Sequence, residues 1–268
     1  YLALFSSSML AVGLLTPLMR LIAIRLNVVD NPDQGHKTHR TPIPYLGGLA
    51  IIIGVLAVTL FSLTGYSMSK ANIVLALSLL LPAIALGLIG LVDDIRNLSP
   101  WPRFVAQSVV GLITAVLLIS TDTVGSPTGS VLVDALITII WIVGITNSVN
   151  FFDNLDGGAS GTVAITSIAL LILALQGEQY LIAALAAVLA GATSGFLLWN
   201  KPPARIYMGD AGALFLGLLI ASLVVRLDTN PINSFATFSI PILLLAVPIM
   251  DTSVAVLSRL QRGISPFQ

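Results

Sequence analysis

Long apolar runs separated by short polar connectors dominate this chain. They lie at about 1–26, 45–64, 71–92, 102–120, 131–149, 159–176, 180–199, 212–227 and 235–258. A helix that crosses a bilayer needs roughly 20 mainly apolar residues, and the runs approach or exceed that length, the eighth being the shortest. Membrane barrel strands alternate apolar with polar residues, and these runs do not alternate. Inside lipid, a helix satisfies its own backbone hydrogen bonds. The pattern predicts an all-α fold, a polytopic transmembrane helix bundle of about nine spans. No soluble domain, long linker or internal repeat interrupts it, so residues 1–268 read as a single integral-membrane domain. The first run lacks a small-residue cleavage site and is predicted to be a retained helix.

Composition sharpens the membrane reading. The 268 residues are 56% hydrophobic and 9% charged, where a soluble domain carries about 25% charge. Twelve basic residues balance twelve acidic ones, so no global charge attracts nucleic acid, and none is expected as a partner. The absence of cysteine excludes disulfides and thiolate chemistry.

The basic residues sort by connector. Arg20, Arg25, Lys37, Arg40, Arg96, Arg103, Lys201, Arg205, Arg259 and Arg262 fall on or near connectors that follow odd-numbered runs, whereas only Lys70 and Arg226 fall on the other side. Such a bias marks the odd face as cytoplasmic. A plasma-membrane protein with an extracytoplasmic N-terminus is expected. Asp30, Asp33, Asp93, Asp94, Asp153, Asp156, Asp210 and Asp251 lie on or toward the same face.

Several of those acids stand where simple surface chemistry does not want them. Asp93 and Asp94 close the third run in "GLVDDIRNLSPWPR". A helix C-terminus carries partial negative charge, so an acid pair there is misplaced unless a cation answers it. Arg96 and Arg103 would serve in a solvated turn; a divalent cation would serve as well. In "NSVNFFDNLDGGASG", Asp153 and Asp156 are three apart, with Asn147 and Asn150 upstream. Asp156 reads as an N-cap of the sixth run. Capping leaves Asn150 and Asp153 unexplained, and burying such groups near lipid costs several kcal/mol each without partners.

"KPPARIYMGDAGALFLG" opens the eighth run. Asp210 reads either as the helix N-cap or as part of an anion site made by free backbone N–H groups, with Lys201 and Arg205 in front of it. Tyr207 reads as a base-stacking ring or a member of the aromatic belt. The first connector, "DNPDQGHKTHRTPIPYLGG", gathers His36, Lys37, His39 and Arg40. Two histidines make a poor zinc site, and the basic residues suit phosphate better. Asp251 alone sits well inside a run, next to a Pro248 expected to bend the helix and free a carbonyl.

No Walker loop or dinucleotide fingerprint is present. Carboxylates, amides and bases at one membrane interface point to a magnesium-dependent reaction on a phosphate, with a lipid as one substrate.

The segments "HKTHRTPIPYLGG", "GLVDD", "NSVNFFDNLDGG", "RIYMGDAG" and "PIMDTSVAVLSRLQRGISPF", in this order, resemble the polyprenyl-phosphate N-acetylhexosamine-1-phosphate transferase family. The resemblance implies transfer of a sugar 1-phosphate from a UDP-sugar to a polyprenyl phosphate, releasing UMP, as the first step of a lipid-linked cell-envelope glycan pathway. It implies Mg²⁺ as cofactor, with Mn²⁺ as the alternative ion. Asp93, Asp94 and Asp153 match catalytic positions. Asp94, Asp153 and Asp210 match the metal-binding positions. Lys37, His39, Arg40, Asn150, Asp156, Arg205 and Tyr207 fall where substrate contacts are expected. Ala213 and Asn154 depart from the usual serine and glycine. The first connector and "RLQRGISPF" resemble the UDP-GlcNAc branch; the UDP-MurNAc-pentapeptide branch is the alternative. A His-rich motif and a tenth span are expected beyond Gln268, which makes 1–268 C-terminally incomplete, and a homodimer is left open. A secondary transporter is the alternative of another class, although its acids belong near the midplane rather than at one interface.

Overall fold

Each of the first eight apolar runs folds as one helix and the ninth as two. The computed structural model describes residues 1–30, 42–65, 69–96, 98–120, 128–228 and 234–263. In chain order the elements are α1 (Leu2–Arg25), β1 (Val29–Asp30), β2 (Ile43–Pro44), α2 (Gly47–Gly65), α3 (Lys70–Arg96) and α4 (Pro100–Ser120). They continue with α5 (Val131–Phe152), α6 (Gly158–Gln176), α7 (Tyr180–Asn200), α8 (Gly209–Val225), α9 (Ser234–Leu244) and α10 (Ala246–Gln261). Among the described residues, six helices, α1 and α3 to α7, are long and apolar enough to cross a membrane. The apolar stretches Gly47–Ser62 of α2 and Gly209–Val225 of α8 are shorter. The fold is the expected polytopic bundle.

The ninth run departs from the single span expected of it. It breaks at Leu245, whose φ of −111° and ψ of 21° leave the helical region. Pro248 has no N–H to offer the Leu244 carbonyl four residues earlier, so a continuous helix would strand that oxygen. Thr166 Oγ1 of α6 donates to it instead, at 3.0 Å. The freed carbonyl anticipated from Pro248 is thus present and satisfied from a neighbouring helix.

α8 is the axis of the bundle. Every residue from Gly209 to Val224 is buried except Asp210. α3 and α5 pack along it, α2 crosses it, and α6 and α9 touch it. α1 and α6 pack on α7. The outer surface is apolar: Leu10, Leu14, Leu18 and Leu21 of α1 face outward at helical spacing, with Leu14 73% exposed. Such a surface suits lipid.

The antiparallel pair β1 and β2, with Val29 opposite Pro44 and Asp30 opposite Ile43, was not legible in the sequence. Two-residue strands are too short to show a period. The pair delivers the chain to the start of α8: Tyr207 N–H donates to the Pro44 carbonyl at 2.9 Å, and Gly47 and Gly48 N–H donate to the carbonyls of Tyr207 and Met208.

Candidate active site

The C-terminus of α3 meets the N-terminus of α8. Asp94 accepts the N–H of Asp210 on Oδ1 at 2.8 Å and that of Ala211 on Oδ2 at 3.1 Å. A carboxylate at a helix N-terminus meets unpaired donors and the positive end of the dipole. The contact needs glycine twice. Gly209 has φ +68°, and a Cβ there would come within 2.6 Å of Asp94 Oδ2. At Gly90, one turn earlier in α3, a Cβ would overlap the Asp210 carbonyl.

Asp93, buried beside it, points toward Leu98 and Arg103, and its carboxyl lies against that of Asp210. It accepts the Leu98 N–H at 2.7 Å and Arg103 Nη1 at 2.8 Å. The same Nη1 donates to Asp210 Oδ2 at 2.6 Å. Asn150 Nδ2, from the last turn of α5, donates to Asp210 Oδ1 at 3.0 Å. Both oxygens of Asp210 are therefore engaged, one by a cation and one by an amide.

Asp153, just past α5, faces Asp210, Asp94 and Asp156. Loss of water first, and then repulsion from these three acids, pushes its carboxyl well above the usual carboxylate range. No hydrogen bond among the described residues offsets this. Asp156 accepts the Ala204 N–H on Oδ2 at 2.9 Å and so ties the α5–α6 turn to the loop after α7. Asn200 makes the second tie: its Oδ1 accepts Gly157 N–H at 3.1 Å and Ser160 Oγ at 2.9 Å, and its Nδ2 donates to the Ile206 carbonyl at 3.1 Å.

Tyr207 borders this cluster. Burial, then Asp156, Asp30 and Asp153, push its phenol up to about 12, so it stays a hydrogen-bond donor. The Tyr45 ring lies 6.2 Å away, centroid to centroid. Burial first, and then the Asp30 carboxylate that accepts its hydroxyl, raise the Tyr45 phenol as well.

The donor set has the chemistry of a hard divalent cation site. Carboxylate and amide oxygens are the ligands Mg²⁺ takes, commonly one or two carboxylates completed by water and substrate phosphate. Asp153, repelled by three acids and bonded by none of the described donors, is the side chain that a cation would stabilise most. Among the described residues no three acidic or histidine side chains stand close enough to enclose an ion by themselves in this conformation. The physical reason is visible: Asp94 is committed to backbone donors and Asp210 to Arg103 and Asn150.

The structure thus brings together Asp93, Asp94, Asn150, Asp153, Asp156, Tyr207 and Asp210. It does not bring Arg205 with them. That guanidinium lies 5.9 Å over the Trp199 ring, and Arg20 Nε donates to the Arg205 carbonyl at 3.0 Å. Lys37, His39 and Arg40 lie outside the described residues. Two capping expectations are corrected. The cap of α8 is Asp94 rather than Asp210, and the N–H groups expected to be open to an anion belong to it. Gly157 rather than Asp156 is the N-cap residue of α6, held by Asn200. Arg103 and Asn200 are the members that sequence reasoning undervalued. Arg103 was legible as a partner for the acid pair; its reach to Asp210, 107 residues on, was not.

Glycosyl transferase family 4 matches residues 76–228, a stretch that holds every acid of the cluster. A probable undecaprenyl-phosphate N-acetylglucosaminyl 1-phosphate transferase of Bacillus subtilis (strain 168) is 35% identical, over 96% of this chain and 71% of its own length. A decaprenyl-phosphate N-acetylglucosaminephosphotransferase of Mycolicibacterium smegmatis is 32% identical, over 92% of this chain and 68% of its own. A phospho-N-acetylmuramoyl-pentapeptide-transferase of Halalkalibacterium halodurans is 34% identical, over 72% and 64%. Matched through its acidic core and over most of its length, the chain belongs to glycosyl transferase family 4.

Proposed function

We propose that this protein transfers N-acetylglucosamine 1-phosphate from UDP-N-acetylglucosamine to undecaprenyl or another polyprenyl phosphate, releasing UMP. The observation that carries the reading is the convergence of Asp94, Asp153, Asp156 and Asp210 at one end of an apolar bundle, in a chain related over nearly its whole length to enzymes named for this transfer.

In this reading a phosphate oxygen of the lipid attacks the sugar-bearing phosphorus of the donor. The bond from that phosphorus to the bridging oxygen breaks, and UMP leaves with the electron pair. A phosphate monoester has a second pKa near 6, so the acceptor is largely ionised at neutral pH without a base from the protein. Catalysis then rests on positioning and charge neutralisation. Asp153 and Asp210 would hold Mg²⁺, or Mn²⁺, together with the donor diphosphate; Asp94 lies beside them with two of its roughly four acceptor sites left. The bound ion supplies positive charge to the phosphoryl oxygens. Asp93 positions Arg103, and Asp94 fixes the start of α8 and with it Asp210. Tyr207 and Tyr45 border the place where the uracil would lie, with Asp156 beside it.

The charge bias of the connectors supports a cytoplasmic site in the plasma membrane and an extracytoplasmic N-terminus. The test is UMP release from full-length protein in detergent–lipid micelles containing undecaprenyl phosphate and Mg²⁺. UDP-N-acetylglucosamine and UDP-MurNAc-pentapeptide are supplied in parallel. Release with the second donor alone would reassign the sugar, and release with neither would remove the transferase reading.

A further inference from the structure

Arg103 holds two acids with one nitrogen. Nη1 donates to Asp93 and to Asp210, while among the described residues no hydrogen bond engages Nε or Nη2. The two attachments differ. Asp93 is 6% exposed and anchored a second time by Leu98, whereas Asp210 is 23% exposed and Arg103 itself 35%. A guanidinium fixed at the Asp93 end can rotate off Asp210 without leaving its buried partner. It would carry its unused donors with it.

Asp210 also stands among other acids. With Asp94 and Asp153 it forms a mutually repelling group, and a positive charge beside Asp210 relieves that repulsion. Arg103 and a divalent cation are alternative answers, and both require Asp210 Oδ2 or its immediate surroundings.

We propose that Arg103 is the resident counter-cation of Asp210. It is exchanged for the divalent cation when the cation arrives with a nucleotide diphosphate, and it then turns its freed donors onto phosphate while remaining on Asp93. The inference rests on the reading above that Asp210 takes part in holding the ion. Its consequence is thermodynamic. The cation alone must displace Arg103 and binds weakly, whereas the cation with a diphosphate gives Arg103 a new partner. Cation and nucleotide thus favour each other's binding.

The test is Mn²⁺ binding to the full-length protein in detergent, without nucleotide or lipid phosphate, read by electron paramagnetic resonance. The informative variant is the pair Asp93→Asn with Arg103→Gln. It removes one negative and one positive charge, so the net charge around Asp210 is unchanged and the buried acid is not orphaned. Mn²⁺ should bind about tenfold more tightly than to wild type, the scale of one charge-assisted hydrogen bond no longer competing. Arg103→Gln alone, which removes the competing charge and keeps an amide donor for Asp93, should also tighten binding. It serves if the double variant does not fold. Affinity unchanged or weakened in the folded variants overturns the inference. Asp210→Asn separates the two readings. If it abolishes Mn²⁺ binding while the Arg103 variants leave binding unchanged, the exchange alone fails; if the protein binds no Mn²⁺, or binds it equally with Asp210→Asn, the cation reading fails and the exchange with it.

Discussion

The carboxylate of Asp94, at the end of α3, accepts the backbone N–H of Asp210, at the start of α8, at 2.8 Å. One acid of the site is therefore the fastener that places another. The acid pair at a helix C-terminus is unfavourable when α3 is considered alone. The positive end of α8 relieves Asp94, and Arg103 relieves Asp93.

Asp94→Ala should destabilise the protein by about 1–2 kcal/mol through loss of the cap and its charge. Asp94→Asn, which keeps one acceptor, should cost less. Thermal unfolding in detergent checks the order, and UMP release should collapse in both because Asp210 loses its placement.

Asn200→Ala removes acceptors from Gly157 and Ser160 and the donor to the Ile206 carbonyl, all within a buried junction. Leaving such groups unsatisfied costs about 1–3 kcal/mol each. Because Asn200 ties the Asp156 turn to the Tyr207 loop, KM for the UDP-sugar should rise more than kcat falls. A drop in melting temperature with unchanged kinetics would make Asn200 a folding residue only.

The raised carboxyl of Asp153 predicts a pH dependence with a definite sign. Below about 3.9, the ordinary aspartate value, folded and unfolded chains both carry the proton and the group is neutral to stability. As pH rises toward the elevated folded value, the unfolded chain ionises first, so folding is progressively penalised. In the presence of a chelator, Asp153→Asn should therefore unfold at a higher temperature than wild type at neutral pH. The gap should close as pH falls toward 4. Added Mg²⁺ should raise the wild-type melting temperature and leave the variant's nearly unchanged.

Thr166→Val leaves the Leu244 carbonyl at the α9–α10 break without its donor. The expected loss is about 1 kcal/mol, read by thermal unfolding. Pro248→Ala in the same background should restore that loss, because the helix regains an N–H for this carbonyl.

The helices were largely legible because apolar runs of bilayer length have few alternatives in lipid. The break at Leu245 was half legible: Pro248 announced a stranded carbonyl, but its rescue from α6 depends on packing. The site was legible as residue types and not as partnerships. Local rules made Asp210 and Asp156 caps of the helices that follow them. Donors from distant elements prevailed, Asp94 for α8 and Asn200 for α6. Arg205 stands two residues before Tyr207, yet its guanidinium turns onto Trp199. Proximity in sequence misled there because an aromatic face is also a partner for a guanidinium, and the fold puts Trp199 within its reach.

The most direct measurement is UMP release from UDP-N-acetylglucosamine by full-length wild type and Asp153→Asn, with and without undecaprenyl phosphate and Mg²⁺. Release by the wild type that requires both additions, and a fall of about a thousandfold or more in a variant that remains folded, is the predicted result. Comparable release by folded Asp153→Asn, or release that needs no lipid phosphate, would contradict the account.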